Sequence, residues 1–103
     1  MQIKWTDFAQ TDLDRVEAYI SKAHSASMAL DVVFNVLDCV ELMLPMHPES
    51  GRLGRLEGTR ELVIKGVPFI VIYRIAVLEN AEAKKEIQIL RVMHDAQQWP
   101  QDN

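Results

Sequence analysis

Cleaving a phosphodiester by internal attack of a hydroxyl needs a base, an acid and a cation facing the phosphate. In this chain the residues that could fill those roles are His94, Tyr73, Glu61, Arg60, Arg74 and Arg91. They lie in Gly58-Thr59-Arg60-Glu61-Leu62, in Tyr73-Arg74, and in Leu90-Arg91-Val92-Met93-His94. Each segment reads as part of a β-strand. Successive strand residues face opposite sides, so parity tests whether the candidates can meet. An unbroken strand puts Arg91 with Ile89 and Met93, and His94 with Leu90 and Val92, on the other side. Arg74 goes with Ile70 and Ile72, and Tyr73 with Phe69 and Val71. His94 and Arg91 therefore meet only if a bulge intervenes, and no complete set forms on either face. His94 reads first as a strand-end histidine hydrogen-bonded to a neighbour. Its alternative role is a terminal acid that titrates near neutral pH.

The other chemistry-bearing types are sparse. Cys39 is the single cysteine, which excludes an internal disulfide and fits a reducing compartment. On a helix it reads as a small buried apolar residue. His24 and His47 fall in turns, with no second ligand at metal spacing, so neither a metal site nor a cofactor is expected. The formal net charge is −4, which argues against direct nucleic-acid binding through phosphates. No segment has the signature of a leader peptide or reaches the ~18 apolar residues of a membrane span. A single domain over 1–103, located in the cytoplasm, is the expectation.

The elements that must carry these residues follow from patterning. Residues 2–5 alternate like a short strand. Thr6 caps a helix over 7–22, with an apolar stripe of Ala9, Leu13, Val16 and Ile20. Asp12, Asp14, Arg15 and Glu17 fall beside the stripe and are expected in solvent. A second helix over 25–44 ends at Pro45. Its polar residues Ser27, Asp31, Asn35, Asp38 and Glu41 share one side, and apolar residues fill the rest. It reads as a helix wedged between the first helix and a sheet, or else as one that offers part of that surface to another chain. A glycine- and proline-rich loop covers 45–59, where Arg52 and Arg55 have acids nearby. Strands over 60–65 and 69–76 form a hairpin about Gly66. A polar connection runs through 77–85, and a last strand covers 86–94. The order is β-α-α-β-β-β, an α+β fold with a helical hairpin packed on a mostly antiparallel sheet.

The run Phe69-Ile70-Val71-Ile72-Tyr73 has no polar alternation, so both faces of its strand need cover. One helical layer covers one face. The other is expected to meet a partner through Leu62, Ile64, Ile70, Ile72, Leu90 and Val92, or through their opposite-face neighbours. Arg60, at the edge of the apolar run, is placed to pair with an acidic partner residue or to hold the C-terminal tail. Trp99 is either a lid on the core or an anchor for the partner. An isolated chain with such a face should dimerise or precipitate.

Trp5, Asp12-Leu13, Tyr19-Ile20, Pro48, Gly51-Arg52, Gly58 to Leu62, Tyr73-Arg74, Leu90 to His94 and the closing Gln98-Trp99-Pro100 resemble the RelE/ParE toxin superfamily of bacterial type II toxin–antitoxin systems, also called plasmid stabilisation systems. The ParE branch is the closer match, and the resemblance covers nearly the whole chain. It implies a small cytosolic toxin neutralised by an antitoxin, with DNA gyrase as the target and no chemistry of its own. The RelE branch, which cuts messenger RNA in the ribosome, is the alternative. That branch carries a basic residue between positions matching Phe69 and Tyr73, and this chain has none there. A third reading is a non-toxic interaction module with the same fold.

Overall fold

The computed structural model describes residues 1–79, 84–96 and 99. Part of the expected 77–85 connection, and Gln98 and Pro100, lie outside the described residues. The elements are β1 (Gln2–Trp5), α1 (Asp7–Ala23), α2 (Ala26–Asp38), a π-helical turn (Cys39–Met43), β2 (Arg52–Leu53), β3 (Arg60–Val63), β4 (Phe69–Val77) and β5 (Lys85–His94). They form one five-stranded sheet in the order β1-β5-β4-β3-β2. Only β1 and β5 run parallel; the other neighbours are antiparallel. The expected α+β architecture is therefore present, with one strand more than foreseen. β2 is two residues long, too short for any alternation to show in the sequence.

Both helices start on side-chain caps. Thr6 Oγ1 accepts from Ala9 N, and Ser25 Oγ accepts from Met28 N. Thr6 Oγ1 also donates to the carbonyls of Ile89 and Leu90, which fixes the start of α1 on β5. At the far end of α2, Pro45 follows a widened turn in which Leu44 N donates to Cys39 O. The β3–β4 turn is closed by Ile64 N donating to Phe69 O, with Gly66 at φ 86°, a conformation that costs glycine little.

The main core joins Ala9, Val36, Val40 and Leu44 of the helical layer to Ile64, Val71, Tyr73, Ile87, Ile89 and Val92 of the sheet. A second cluster of Val16, Ile20, Ala29 and Phe69 lies under the helical hairpin. A third lies on the opposite sheet face, where Ile70, Ile72 and Met93 are buried beneath Leu90 and Trp99.

This third cluster corrects the expectation of an uncovered sheet face. The chain covers the centre of that face itself, and Trp99 acts as the lid. The apolar set expected to meet a partner is also split. Antiparallel register pairs Leu62 with Val71 and Val63 with Ile70, so Leu62 and Ile64 turn to the helices while Ile70 and Ile72 turn away.

A β-bulge separates Leu90 from Val92 in the same way. Tyr73 is opposite Ile89 and Ile72 is opposite Arg91, so Leu90 is the extra residue. Past the bulge, Val92 and His94 join the face of Ile87 and Ile89, which an unbroken strand would not allow. A further correction concerns α2, which buries only Ala29 and Val36 along its length. It is not wedged deeply, and its outward surface stays open.

Candidate functional site

Of the six catalytic candidates, His94, Tyr73, Arg60 and Arg74 are not brought together. His94 pairs across the strands with Phe69, Tyr73 with Arg60, and Arg74 with Gln88. At about 3.3 Å per residue, Tyr73 lies roughly 13 Å along β4 from the level of His94. Arg74 lies one residue further and faces the opposite side.

Each candidate also has structural work. The Tyr73 hydroxyl donates to Pro48 O at 2.7 Å and accepts from Gly51 N at 3.0 Å. Arg60 Nη1 donates to the carbonyls of Gly51 and Glu49, at 2.8 and 3.2 Å. Arg60 thus fastens the loop before β2, not the tail. Arg74 Nε donates to Gln88 Oε1 at 2.6 Å. His94 packs edge-on against Phe69, its Nδ1 accepts from Ala96 N, and Asp95 Oδ1 lies 3.2 Å away.

Tyr73 and Gly51 show how tightly the loop is set. A Cβ on Gly51 would sit 2.7 Å from the Tyr73 hydroxyl, so only glycine allows this approach. Replacing Tyr73 with Phe leaves the buried Gly51 N–H and the Pro48 carbonyl without their partner. The expected cost is about 1–3 kcal/mol in urea unfolding. A loss within error of zero would show that the hydroxyl does not hold the loop.

Two carboxylates organise the rest. Glu61, 1% exposed, accepts from Arg52 Nε and Nη2 and from Arg55 N, with Arg55 Nε 3.6 Å away. Arg55 Nη1 in turn donates to Trp99 O, so Arg55, not Arg60, holds the lid.

Asp12 is the second. It accepts from Arg91 Nε at 2.7 Å, from Arg91 Nη2 at 3.0 Å and from Val92 N at 3.0 Å. The expectation that Asp12 is solvated was wrong: it is 7% exposed. β1 leaves the sheet after Trp5, so the edge of β5 beyond Ile89 has no strand beside it, and Asp12 supplies the missing acceptor for Val92. The Arg91 guanidinium lies 5.7 Å from the Phe8 ring centroid and 5.9 Å from that of Trp99. The hydrogen bonds to Asp12 raise the guanidinium's pKa above its ordinary value, against the desolvation of partial burial. Helical spacing could have pointed to Asp12, which lies three residues after Ala9 and four before Val16 and so falls on their stripe.

Between the helical hairpin and the β4–β5 end runs a groove of about 910 Å³. Val16, Ile20, Met28, Val32, Val67 and Phe69 give it an apolar lining, and Val92 contributes from β5. The charged and titratable groups lining it are Arg15, Tyr19, His24, His94 and the Asp12–Arg91 pair. The groove is thus apolar, with Arg15 and the mutually paired Asp12 and Arg91 as the formal charges on its lining. Its size falls in the range of specific binding sites.

Among the partner residues expected from the sequence, Val92 lines this groove. Ile64, Ile70 and Ile72 are fully buried, Leu62 and Leu90 are half-buried, and Trp99 closes the outer face. Among the described residues no group of three or more His, Cys, Asp or Glu is placed to hold a metal, and no helix is long and apolar enough to cross a membrane. Cys39 is half-buried, and desolvation, then Asp38, raises its thiol pKa.

The family model for the ParE toxin of the type II toxin–antitoxin system parDE matches residues 3–99. The chain belongs to the ParE toxin family. A Sinorhizobium fredii protein named "Putative toxin Y4kP" is 41% identical over 100 residues, covering 97% of this chain and 94% of that protein. A chain of the chromosomal ParDE toxin–antitoxin system from P. aeruginosa superimposes with a TM-score of 0.73 at 27% identity, covering 91% of this chain and 95% of its own. The resemblance read from Trp5 through Trp99 is therefore the right one, and the ParE branch is the right branch. The family is that of the toxins of type II toxin–antitoxin systems, which supports an antitoxin as the partner. The matched span includes Asp12, Glu61, Tyr73 and Arg91, so the residues that fasten loop and lid all lie within the ParE region.

Proposed function

We propose that this ParE-type toxin works by binding, without breaking a covalent bond, that DNA gyrase in the cytoplasm is its target, and that its antitoxin lays an apolar segment in the groove beside Val92. One observation carries the binding reading. His94, Tyr73, Arg60 and Arg74 are spread along the sheet, and the last three spend their polar atoms on loop and cross-strand bonds. General acid–base cleavage needs the acid, the base and the cation within hydrogen-bond reach of one phosphate. The groove suits an antitoxin segment because its apolar lining is broad enough for several side chains, and Arg15 at its edge complements an acidic residue.

The test sets purified chain against gyrase in a supercoiling assay, beside a translation-coupled mRNA cleavage assay. Supercoiling should fall in proportion to added protein while the messenger stays intact. Cleaved messenger with normal supercoiling overturns the proposal. Neither effect, together with normal growth on expression, identifies an interaction module that keeps only the fold.

A further inference from the structure

The outward side of α2 is the least expected surface of the molecule. Leu30 and Phe34, one helical turn apart, are 47% and 57% exposed, and Leu42, beyond the π-helical turn, is 64% exposed. At 100° per residue, Leu30, Phe34, Asp38 and Asp31 span about 100° of the helix circumference. Met28 and Val32, which line the groove, lie on another side of the same helix. The two surfaces are therefore separate.

The charge that α2 itself carries has one sign, and the nearest cation shown beside it is Lys65, whose carbonyl accepts from Asn35 Nδ2. Asp31, Asp38 and Glu41 are exposed, and no Lys or Arg occurs between Lys22 and Arg52. Glu41 is partly engaged, accepting from Trp5 Nε1 at 2.9 Å, which leaves Asp31 and Asp38 as the carboxylates along one side of Leu30 and Phe34. An exposed apolar ridge with an acidic border along one side complements one kind of surface: an amphipathic helix with apolar residues at i and i+4 and basic residues beside them. A second copy of this chain is the poorer match. Pairing α2 with itself across a two-fold axis brings Asp31 and Asp38 towards their own counterparts, and like charges at close range are unfavourable.

We infer that the outward side of α2 is a second docking face, distinct from the groove, whose occupant is a cationic amphipathic helix of another polypeptide. The inference does not depend on an antitoxin segment occupying the groove, since it concerns a different surface.

The full chain, labelled with ¹⁵N, is titrated with two synthetic helix-forming peptides. Both carry Leu at i, i+4 and i+7, one with Lys flanks and one with Glu flanks. The Lys peptide should shift amides around Leu30, Phe34 and Asp38 and leave those around Phe69 and Val92 unmoved. Phe34→Ala and Leu30→Ala, both at exposed positions, should each weaken it about tenfold. The double variant Asp31→Lys with Asp38→Lys should transfer the preference to the Glu peptide. Matching thermal melts for these variants exclude unfolding as the cause. Shifts scattered over every acidic patch, or centred on the groove, overturn the proposal. So does affinity unchanged by Phe34→Ala, or no binding at millimolar peptide. A concentration-dependent dimer in sedimentation that Phe34→Ala abolishes assigns the face to a second copy and overturns it equally.

Discussion

Replacing Asp12 with Ala should lower the unfolding midpoint of this protein by roughly 15–20 °C, an effect of about 3–5 kcal/mol. Asp12 is 7% exposed, and three donors converge on it. Its removal leaves Arg91, whose side chain is only 24% exposed, without its counter-charge, and leaves Val92 N–H without an acceptor at the open edge of β5. The damage comes from the orphaned groups, not from the intrinsic worth of an ion pair. A comparison of variants exposes that difference. Asp12→Asn keeps an acceptor and should lose about half as much. Arg91→Met combined with Asp12→Leu removes both charges and should recover part of the loss. The raised pKa of Arg91 adds a sign. A cation whose folded pKa exceeds its unfolded one contributes stability below the unfolded value and loses it as pH rises through the folded one. For a guanidinium that window is strongly alkaline, so Arg91 is not a switch near neutrality. A melt of Asp12→Ala within 5 °C of the parent would refute the assignment.

The second large effect is expected at Glu61. Glu61→Ala should cost about 2–3 kcal/mol in denaturant unfolding and should raise binding of a hydrophobic dye. The side chains of Arg52 and Arg55 are 56% and 42% exposed, so their charges return to water when the carboxylate goes. What is lost is the acceptor for Arg55 N and the anchor for the Arg55 side chain, which in turn holds Trp99 O. Dye should report the uncovering of Ile70, Ile72 and Met93 beneath Trp99. Glu61→Gln, which keeps the shape and one acceptor, should show the smaller change in both readouts. Unchanged dye binding with normal stability in Glu61→Ala would mean that the lid is held by other means.

Most of the fold was legible because its signals are local. The stripe over 7–22, the break at Pro45, the apolar run from Phe69 and the hairpin about Gly66 each announce an element within one window. The features that escaped depend on contacts distant in sequence. Asp12 lies on an apolar stripe, and only the early exit of β1 from the sheet gives a carboxylate a reason to be there. The bulge at Leu90 leaves no trace in composition, yet it decides which of Arg91, Val92 and His94 face the helices. The cover over Ile70 and Ile72 comes from a residue beyond the last strand. The original ground for a partner, a bare sheet face, therefore fell. Two of the surfaces left open involve the helices: the groove under the hairpin and the outward side of α2. Among the candidate residues, the pairing of Tyr73 with Arg60 across β3 and β4 followed from a simple hairpin. Their shared task of fastening residues 48–51 could not be seen until the loop was in place.

The position of β1 has a temporal consequence. It joins the sheet through β5 alone, and Thr6 clasps the Ile89 carbonyl across 83 residues of chain. Ribosomes add about 5–20 residues per second, so the opening segment waits some seconds for the strand that completes it. Until then β1 and one edge of β4 lack their neighbour, and the nascent polypeptide holds no finished sheet. Completion of the sheet thus waits for the synthesis of β5, and the helical hairpin is made well before the strand it packs on.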